Sequence, residues 1–196
     1  RLHSAGGMLA RIQTAAIVGV DACPVTVEVD ARRGGGAMPG LNLVGLPSTR
    51  VSEGKVRIRA ALLNSGFKLE ARRVTINLAP AGLRKDTAAF DLPIAVALLA
   101  AFERIPADAL AGVLAVGELA LDGTLRATRG VLPAATLARA RGLHTVLVPQ
   151  ANAAEAAVVE GVTIYAAPDI AAVVAHLEGA ESLPVAQAPP AHPAEA

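Results

Sequence analysis

The chain has 196 residues, of which 53% are hydrophobic but only 2% are aromatic, and its formal net charge is +1. That length fits one domain with a sizeable core, which must be built from aliphatic side chains. A net charge near zero excludes a global attraction to nucleic acid or membranes, so an electrostatic partner must be met by a local patch. The single cysteine, Cys23, excludes an internal disulfide and is typical of a reducing, cytoplasmic compartment.

The first strands are predicted from alternating apolar and polar residues. Residues 1–7 precede the first strand pattern and are treated as an appendage. The alternation predicts strands over residues 12–18 and 25–30, and in the second every other residue is valine. A glycine-rich loop over residues 31–40 and a short strand over residues 41–44 follow.

A helix is predicted from Thr49 to Asn64. Ser48 or Thr49 can cap its first turn, and Gly66 is its predicted stop. A strand over residues 72–78 comes next, since apolar residues again alternate there.

A second, buried helix is predicted over residues 92–103. Pro93 lies near its first turn, where a missing N–H matters least. The apolar run is shorter than the roughly 18 residues that indicate a membrane span. We therefore expect a core helix and no membrane partner.

The second half of the chain alternates strands and helices. Asp122-Gly123 is a strong turn signal and predicts a hairpin between residues 113–119 and 124–125. The remaining pattern predicts helices over residues 132–141, 152–159 and 169–177 and strands over residues 145–148 and 163–166. These elements predict an α/β (α+β) domain over residues 8–180, with a mixed sheet and packed helices. Residues 181–196 are rich in Ala and Pro, which predicts a linker.

Nucleotide and metal sites are not predicted in this chain. Residues 40–45 have the glycine spacing of a P-loop, but Leu46 and Pro47 replace the Lys and the Ser or Thr that would hold the phosphates and Mg²⁺. A metal site needs clustered ligands, whereas the histidines and the cysteine are scattered along the chain.

Basic residues are the main candidates for a binding role. A helix face that carries several basic residues is usually exposed to solvent or in contact with another subunit, but its cations can also contact the phosphates of DNA. Val51, Ile58 and Leu62 form an apolar stripe on the helix, and we expect Glu53 to pair with Arg50 or Arg57. The nucleic-acid-binding candidates are Arg50, Lys55, Arg57, Arg59, Arg72, Arg73, Arg84 and Lys85.

The loop before the buried helix carries two further candidates. Asp91 is either a carboxylate of a former active site or, as we expect, the N-cap of the helix that follows. Thr87 and Lys85 are close enough in sequence to form a nucleophile and base pair, which we regard as the weaker alternative.

Two stretches resemble the proteolytic domain of the ATP-dependent Lon protease. In Lon a loop that reads K-D-G-P-S-A-G carries the serine, and a lysine follows a G-E-x-x-L-x-G hairpin. Here the loop reads KDTAAFD, with Ala89 at the serine position, and counting on from Gly117 puts Leu132 at the lysine position. The resemblance implies the frame of a Ser-Lys peptidase without its catalytic residues. We expect Leu132 to be partly buried.

Residues 9–178 resemble the N-terminal domain of the ComM/YifB family, which is often labelled magnesium chelatase-like. The matching motifs are GVDA followed by VTVEV, the segment PGLNLVGLP, the helix sequence VSEGKVRIRAALLNSGF, NLAP and FDLPIA. The family usually has glycine where Thr87 stands. The resemblance implies a Lon-protease-like, ribosomal protein S5 domain 2-like fold.

The resemblance also implies a role. Family members look like hexameric AAA+ ATPases that promote DNA branch migration during natural transformation. Their ATP and Mg²⁺ sites would lie in an AAA+ module whose Walker motifs are not in this sequence, and the linker over residues 181–196 would lead toward it. The implied partners are that module, neighbouring subunits of a homo-hexamer, and DNA. An active Lon-like serine or threonine peptidase with an unrecognised nucleophile is the alternative.

Overall fold

The computed structural model describes residues 8–33, 40–45 and 47–190. The predicted appendage, residues 34–39 of the predicted loop and residues 191–196 of the predicted linker lie outside the described residues. The strands are β1 (Met8–Val18), β2 (Asp21–Arg33), β3 (Leu41–Val44), β4 (Arg72–Ala79), β5 (Val113–Ala115), β6 (Glu118–Leu119), β7 (Leu125–Arg126), β8 (Thr145–Pro149) and β9 (Thr163–Ala167). The helices are α1 (Thr49–Asn64), α2 (Asp91–Ala101), α3 (Val131–Ala140), α4 (Ala153–Ala156) and α5 (Ile170–Leu177).

The fold is built on a seven-stranded sheet with the order β3-β4-β2-β1-β5-β8-β9. The β1–β2 and β2–β4 pairs are antiparallel, whereas the β3–β4, β5–β8 and β8–β9 pairs are parallel. The predicted mixed α/β class is therefore confirmed. Strands β6 and β7 form a separate antiparallel ribbon.

The first two strands are longer than the alternation predicted. They form one hairpin whose register runs from Met8 opposite Ala31 to Val18 opposite Asp21. The valines of β2 have no exposed surface, as their alternation indicates. Residues 31–33, which the glycine content assigned to a loop, continue β2 because they pair with β4.

Helix α1 begins and ends as predicted. The Ser48 hydroxyl accepts from the Val51 N–H at 3.4 Å, so Ser48 is the N-cap. The apolar stripe of Val51, Ile58 and Leu62 is buried. Helix α1 is therefore attached to the domain by one face, and residues on its opposite face remain available at the surface.

Helix α2 is the centre of the core. All eleven of its residues are buried, including Asp91. It packs against β1, β2 and α1. A second apolar cluster, which includes residues of α3, α4, β5, β8 and β9, contains Ala15 of β1, whereas its neighbour Ala16 belongs to the α2 cluster. Because successive side chains of a strand point to opposite faces, the two clusters lie on the two faces of the sheet.

Two elements in the second half of the chain differ from the sequence predictions. Residues 113–119 do not form one arm of a hairpin, because β5 joins the main sheet and only β6 pairs with β7. The helix predicted over residues 152–159 is limited to α4, with a 3₁₀ turn before it. Among the described residues, no helix combines the length and apolar character that crossing a membrane requires.

The start of the predicted linker is part of the domain. Leu183 is buried, and residues 184–186 pair with the outer edge of β9. The Ala166 N–H donates to the Pro184 carbonyl at 3.0 Å, and the Ala186 N–H donates to the Ile164 carbonyl at 2.8 Å. We call residues 183–186 the C-terminal strap.

Candidate functional site

The candidate site lies at the start of α2, where the loop before this helix meets the segment before β6. The Ala89 carbonyl accepts from the Gly117 N–H at 2.9 Å, and the Gly117 carbonyl accepts from the Leu92 N–H at 2.9 Å. The two stretches that the Lon resemblance singled out are therefore held together by backbone hydrogen bonds.

The serine and lysine positions of the Lon motif have different environments here. Ala89 is buried, with 4% of its surface exposed. Leu132 is 41% exposed and lines a surface groove together with Val20 and Thr136. The expectation that Leu132 is partly buried is wrong, because it follows Val131, the helix position that faces the core. Neither residue has a side chain that can act as a nucleophile or a base.

The polar centre of the site is an ion pair between Asp91 and Arg57. The Arg57 guanidinium donates from Nε to Asp91 Oδ2 at 2.7 Å and from Nη2 to Asp91 Oδ1 at 3.1 Å. Asp91 Oδ2 also accepts from the Leu119 N–H at 3.2 Å. Asp91 is 1% exposed, and the Arg57 side chain is 23% exposed. The pair therefore joins α1, α2 and β6 at one point.

The prediction that Asp91 caps α2 is wrong. Asp91 is the first residue of the helix, and Phe90 holds the N-cap position without a side-chain hydrogen bond. A buried carboxylate needs partners for both oxygens, and those partners come from Arg57 and Leu119 instead of the first helical turn. The hydrogen bond to Asp91 raises the pKa of Arg57, and the charge of Glu53 raises it by a smaller amount. The hydrogen-bond partner of Arg57 is therefore Asp91 and not Glu53.

The ion pair depends on close packing of the two helices. Gly54 of α1 faces Asp91, and a Cβ atom at this position would lie 2.5 Å from Asp91 Oδ1. Burial raises the pKa of Asp91 to about 6, although the hydrogen bonds from Arg57 oppose this change. At neutral pH the carboxylate is therefore mostly ionised, and it becomes protonated near pH 6.

Lys85 is a structural residue, which corrects its assignment as a nucleic-acid-binding candidate. Its side chain has no exposed surface, and its Nζ donates to the Gly45 carbonyl at 2.7 Å and to the Pro80 carbonyl. Burial lowers the pKa of this ammonium group. Gly45 has a φ of +95°, and a Cβ atom there would lie 2.3 Å from the Leu78 carbonyl oxygen, so only glycine fits beside this lysine.

Thr87 and Lys85 do not form the nucleophile and base pair that their spacing left open. The Thr87 hydroxyl accepts from the Ala89 N–H at 3.1 Å, and the Lys85 ammonium group is bound to backbone carbonyls. Thr87 has a φ of −154°, which is extended backbone that any residue adopts. The glycine that the family usually has at this position is therefore not required by the backbone here.

The other cations divide into buried and surface groups. Arg72 is buried over the Phe102 ring, 4.8 Å from its centroid, and bonds Glu70 at 3.0 Å, so it is also not a surface candidate. Arg57 is held by Asp91. The residues that remain at least partly exposed are Arg50, Lys55, Arg59, Arg73 and Arg84.

Lys55 and Arg59 line one concave surface between α1 and β3. This surface encloses about 660 Å³ and is otherwise mostly apolar, with Val56 71% exposed. Arg73 lies at the same end of the sheet but not in this surface. It alternates along β4 with Val74, which is buried in the same cluster as Ile58 of α1, so its side chain points to the opposite face of the sheet. We call Lys55, Arg59 and the surface between them the α1 groove.

One cation next to Arg73 was not predicted as a candidate from the sequence. Arg32 lies directly opposite Arg73 in the β2–β4 ladder. It was assigned to the glycine-rich loop, and only the continued strand register brings it beside Arg73. Asp30 accepts from Arg32 at 2.7 Å and offsets part of the local positive charge. Within the described ranges, no group of three or more His, Cys, Asp or Glu side chains could hold a metal ion.

Comparison with known proteins identifies relatives over most of the chain. The family model described as subunit ChlI of Mg-chelatase matches residues 27–152. The chain is 45% identical over 181 residues to the uncharacterised protein YifB of Salmonella typhimurium, covering 91% of this chain and 35% of that protein. It is 43% identical over 178 residues to the competence protein ComM of Haemophilus influenzae, covering 91% of this chain and 34% of ComM. The chain thus spans about a third of the length of these relatives.

Proposed function

This chain belongs to the magnesium chelatase-like ComM/YifB family, and we propose that it is a non-catalytic N-terminal module of a ring-forming AAA+ ATPase. In this proposal the module contributes to ring assembly or contacts DNA. The ATP and Mg²⁺ sites belong to the part of the relatives that this chain does not match.

The observation that carries the non-catalytic role is the chemistry at the Lon-like positions. Ala89 and Leu132 stand where a Ser-Lys peptidase has its two reacting groups. The nearest charged groups already have structural partners, since Asp91 binds Arg57, and Lys85 binds backbone carbonyls. A catalytic pair must have its reacting groups free and aligned. The site supports a scaffold better than a peptidase.

The α1 groove is the surface that best fits a contact with DNA. Its two cations lie beside apolar residues, and phosphate contacts require only such a local concentration of positive charge. The aromatic content of the chain is 2%, so base stacking is a poor alternative. Binding of DNA by this groove would therefore be independent of the DNA sequence.

The wider role is drawn from the relatives. The name of the Haemophilus relative assigns it to competence. We propose that this chain acts in the same process, as part of a homo-hexameric ATPase that promotes branch migration of DNA. A six-fold ring would present six α1 grooves, and avidity would strengthen a contact that is weak in one module.

The test is DNA binding at low salt, measured by fluorescence anisotropy with labelled duplexes of two unrelated sequences. The variant Lys55→Ala/Arg59→Ala should bind more weakly to both duplexes. If the groove contacts two phosphates, the parent should show a log–log salt slope of about −2, and the variant should show a flatter slope. The matched control is Arg126→Ala/Arg129→Ala, which removes the same charge from exposed positions outside the groove.

Two outcomes would contradict the proposal. If the parent does not bind, or if the groove variant binds like the parent and the control, these cations serve packing or subunit contacts instead. Cleavage of unfolded casein by the parent, together with labelling by a fluorophosphonate probe, would favour the peptidase alternative.

A further inference from the structure

A cavity of about 470 Å³ lies between β1, the segment that leads into β5, and the end of α3. It forms because β1 and β5 pair, among the described residues, only through Gln13 and Leu114. Before that point a 3₁₀ turn, Ala107–Leu110, runs beside β1 in place of a strand. Helix α3 ends at Ala140, so it does not cover this part of the sheet. The cavity is separate from both the Asp91 site and the α1 groove.

The cavity is lined by apolar, neutral polar and cationic residues. Leu110, Leu114 and Leu137 supply apolar walls, and the charged lining residues are Arg11 and Arg141, with no aspartate or glutamate among them. Arg11 is paired with Glu28 at 2.8 Å. Arg141 follows the last turn of α3 and has no ion pair with any residue that the structure describes. Its guanidinium is available to a ligand.

A buried hydroxyl beside the same cavity also has no partner. Thr14 lines the cavity and is 1% exposed, and its Oγ1 makes no hydrogen bond within the described part of the chain. Buried polar groups in folded proteins are almost always hydrogen-bonded. Along β1, Thr14 shares the α2 face of the sheet with Ile12 and Ala16, whereas Ala15 lies on the α3 face. The hydroxyl therefore does not point toward Arg141 and is not a contact for a ligand there.

We propose that this cavity binds a small organic anion with an apolar body, which places its anionic group on Arg141. Small-molecule sites are typically concave, mostly apolar and about 300–1,000 Å³ in volume, with a few polar groups that orient the ligand. The apolar walls accept the body of the ligand. The guanidinium, which has donors in a planar fork, selects a carboxylate or sulfonate over a neutral group. This site goes beyond the proposed contact with DNA and does not depend on it.

The test uses two dyes that differ mainly in charge. The probe is 8-anilinonaphthalene-1-sulfonate, and its neutral counterpart is N-phenyl-1-naphthylamine. Fluorescence titration of the full chain should show saturable binding of the sulfonate. Arg141→Gln should weaken sulfonate binding by about tenfold, the effect of losing one charge-assisted hydrogen bond, and should leave the neutral dye nearly unchanged.

Two variants locate the binding. Arg139→Gln, on the same helix but outside the cavity lining, should bind both dyes like the parent. Ala111→Trp, at an exposed position that lines the cavity, should fill it and remove binding of both dyes. Amide chemical shifts measured by NMR should change at Ala111 and Leu143 when the sulfonate is added. Circular dichroism checks that each variant is folded.

The proposal is wrong if the parent does not bind the sulfonate. It is also wrong if Ala111→Trp and Arg141→Gln bind the sulfonate as tightly as the parent, since the dye would then lie elsewhere. Equal weakening of both dyes by Arg141→Gln would show that the arginine acts through packing and would exclude its role as an anion ligand.

Discussion

Replacing Arg57 with Met should be among the most damaging single changes at the start of α2. The substitution keeps an unbranched side chain of similar length but removes both donors to Asp91, which is 1% exposed. Breaking a buried pair by removing one partner costs about 3–5 kcal/mol. We expect Arg57→Met to lower the free energy of unfolding by about 3 kcal/mol, the lower end of this range, because the Arg57 side chain is 23% exposed and water reaches part of the pair.

The loss should depend on pH. The pKa of Asp91 is raised from 3.8 to about 6 in the folded parent, so protonation of this group favours folding. That contribution is complete below pH 3.8 and is lost as the pH rises through 6. Without Arg57 the folded pKa of Asp91 rises further, because burial and the charge of Glu118 raise it and only the Leu119 N–H still opposes them. The penalty of Arg57→Met should therefore be small at pH 5, near 1 kcal/mol, and should reach its full value at pH 7.5.

Urea unfolding followed by far-UV circular dichroism measures this effect, since the chain has no Trp and one Tyr. Arg50→Met is the control, at an exposed position of the same helix, and should stay within about 0.5 kcal/mol of the parent. The double variant Arg57→Met/Asp91→Leu should recover most of the loss, because it removes the unpaired charge. A loss below about 1 kcal/mol at pH 7.5 would refute the reasoning. An equal loss at both pH values, or an additive double variant, would do the same.

Three further predictions concern other parts of the molecule. Ala89→Ser/Leu132→Lys should fold but should not cleave casein, because two residue types do not supply the alignment and oxyanion donors of a peptidase; robust cleavage would contradict this. Thr14→Val should raise the free energy of unfolding in urea by about 1 kcal/mol, since it removes a buried hydroxyl without a partner among the described residues. The control Thr26→Val breaks a hydrogen bond to Gln13 and should lower the free energy of unfolding. The opposite order would show that the Thr14 hydroxyl does have a partner. The His176 Nδ1 accepts from the first N–H of the C-terminal strap at 3.1 Å, and burial lowers the pKa of this ring below 6.5. The stability that the neutral ring contributes is therefore present above pH 6.5 and is lost as the pH falls through the folded pKa. Amide hydrogen exchange in the C-terminal strap, corrected for the intrinsic exchange rate, should therefore become faster in acid. An unchanged corrected rate would exclude His176 as the residue that holds the strap.

The strands and helices were largely predictable because they depend on local periodicity. Val25, Val27 and Val29 mark one face of β2, and the Ser48 hydroxyl caps α1, all from neighbouring residues. Their ends were less predictable, since β2 continues through Arg33 only because β4 lies beside it.

The candidate site was harder to predict because its partners are distant in sequence. Asp91 before an apolar helix fits a cap as well as an ion pair, and only the packing of α1 on α2 brings Arg57 to it. Lys85 lies in a polar stretch that is typical of a surface loop, yet carbonyls from Gly45 and Pro80 surround its ammonium group. Nothing in the spacing of these residues indicates such a contact.

The C-terminal strap illustrates the limit of composition as a guide. Residues 181–196 are rich in Ala and Pro, as linkers are, but Leu183 is buried and its neighbours pair with β9. A single apolar residue and two backbone hydrogen bonds are enough to attach this segment, and neither produces a periodic pattern.

The two edges of the main sheet are left in different states by the strap. At one end residues 184–186 cover the outer edge of β9, and at the other end β3 has no further strand beside it among the described residues. Uncovered strand edges act as templates for pairing with other chains. A sheet with two such edges could add copies without limit, whereas a sheet with one can join only a single neighbour in this way. The strap therefore occupies the β9 edge, and its loss would expose that edge to pairing with another chain.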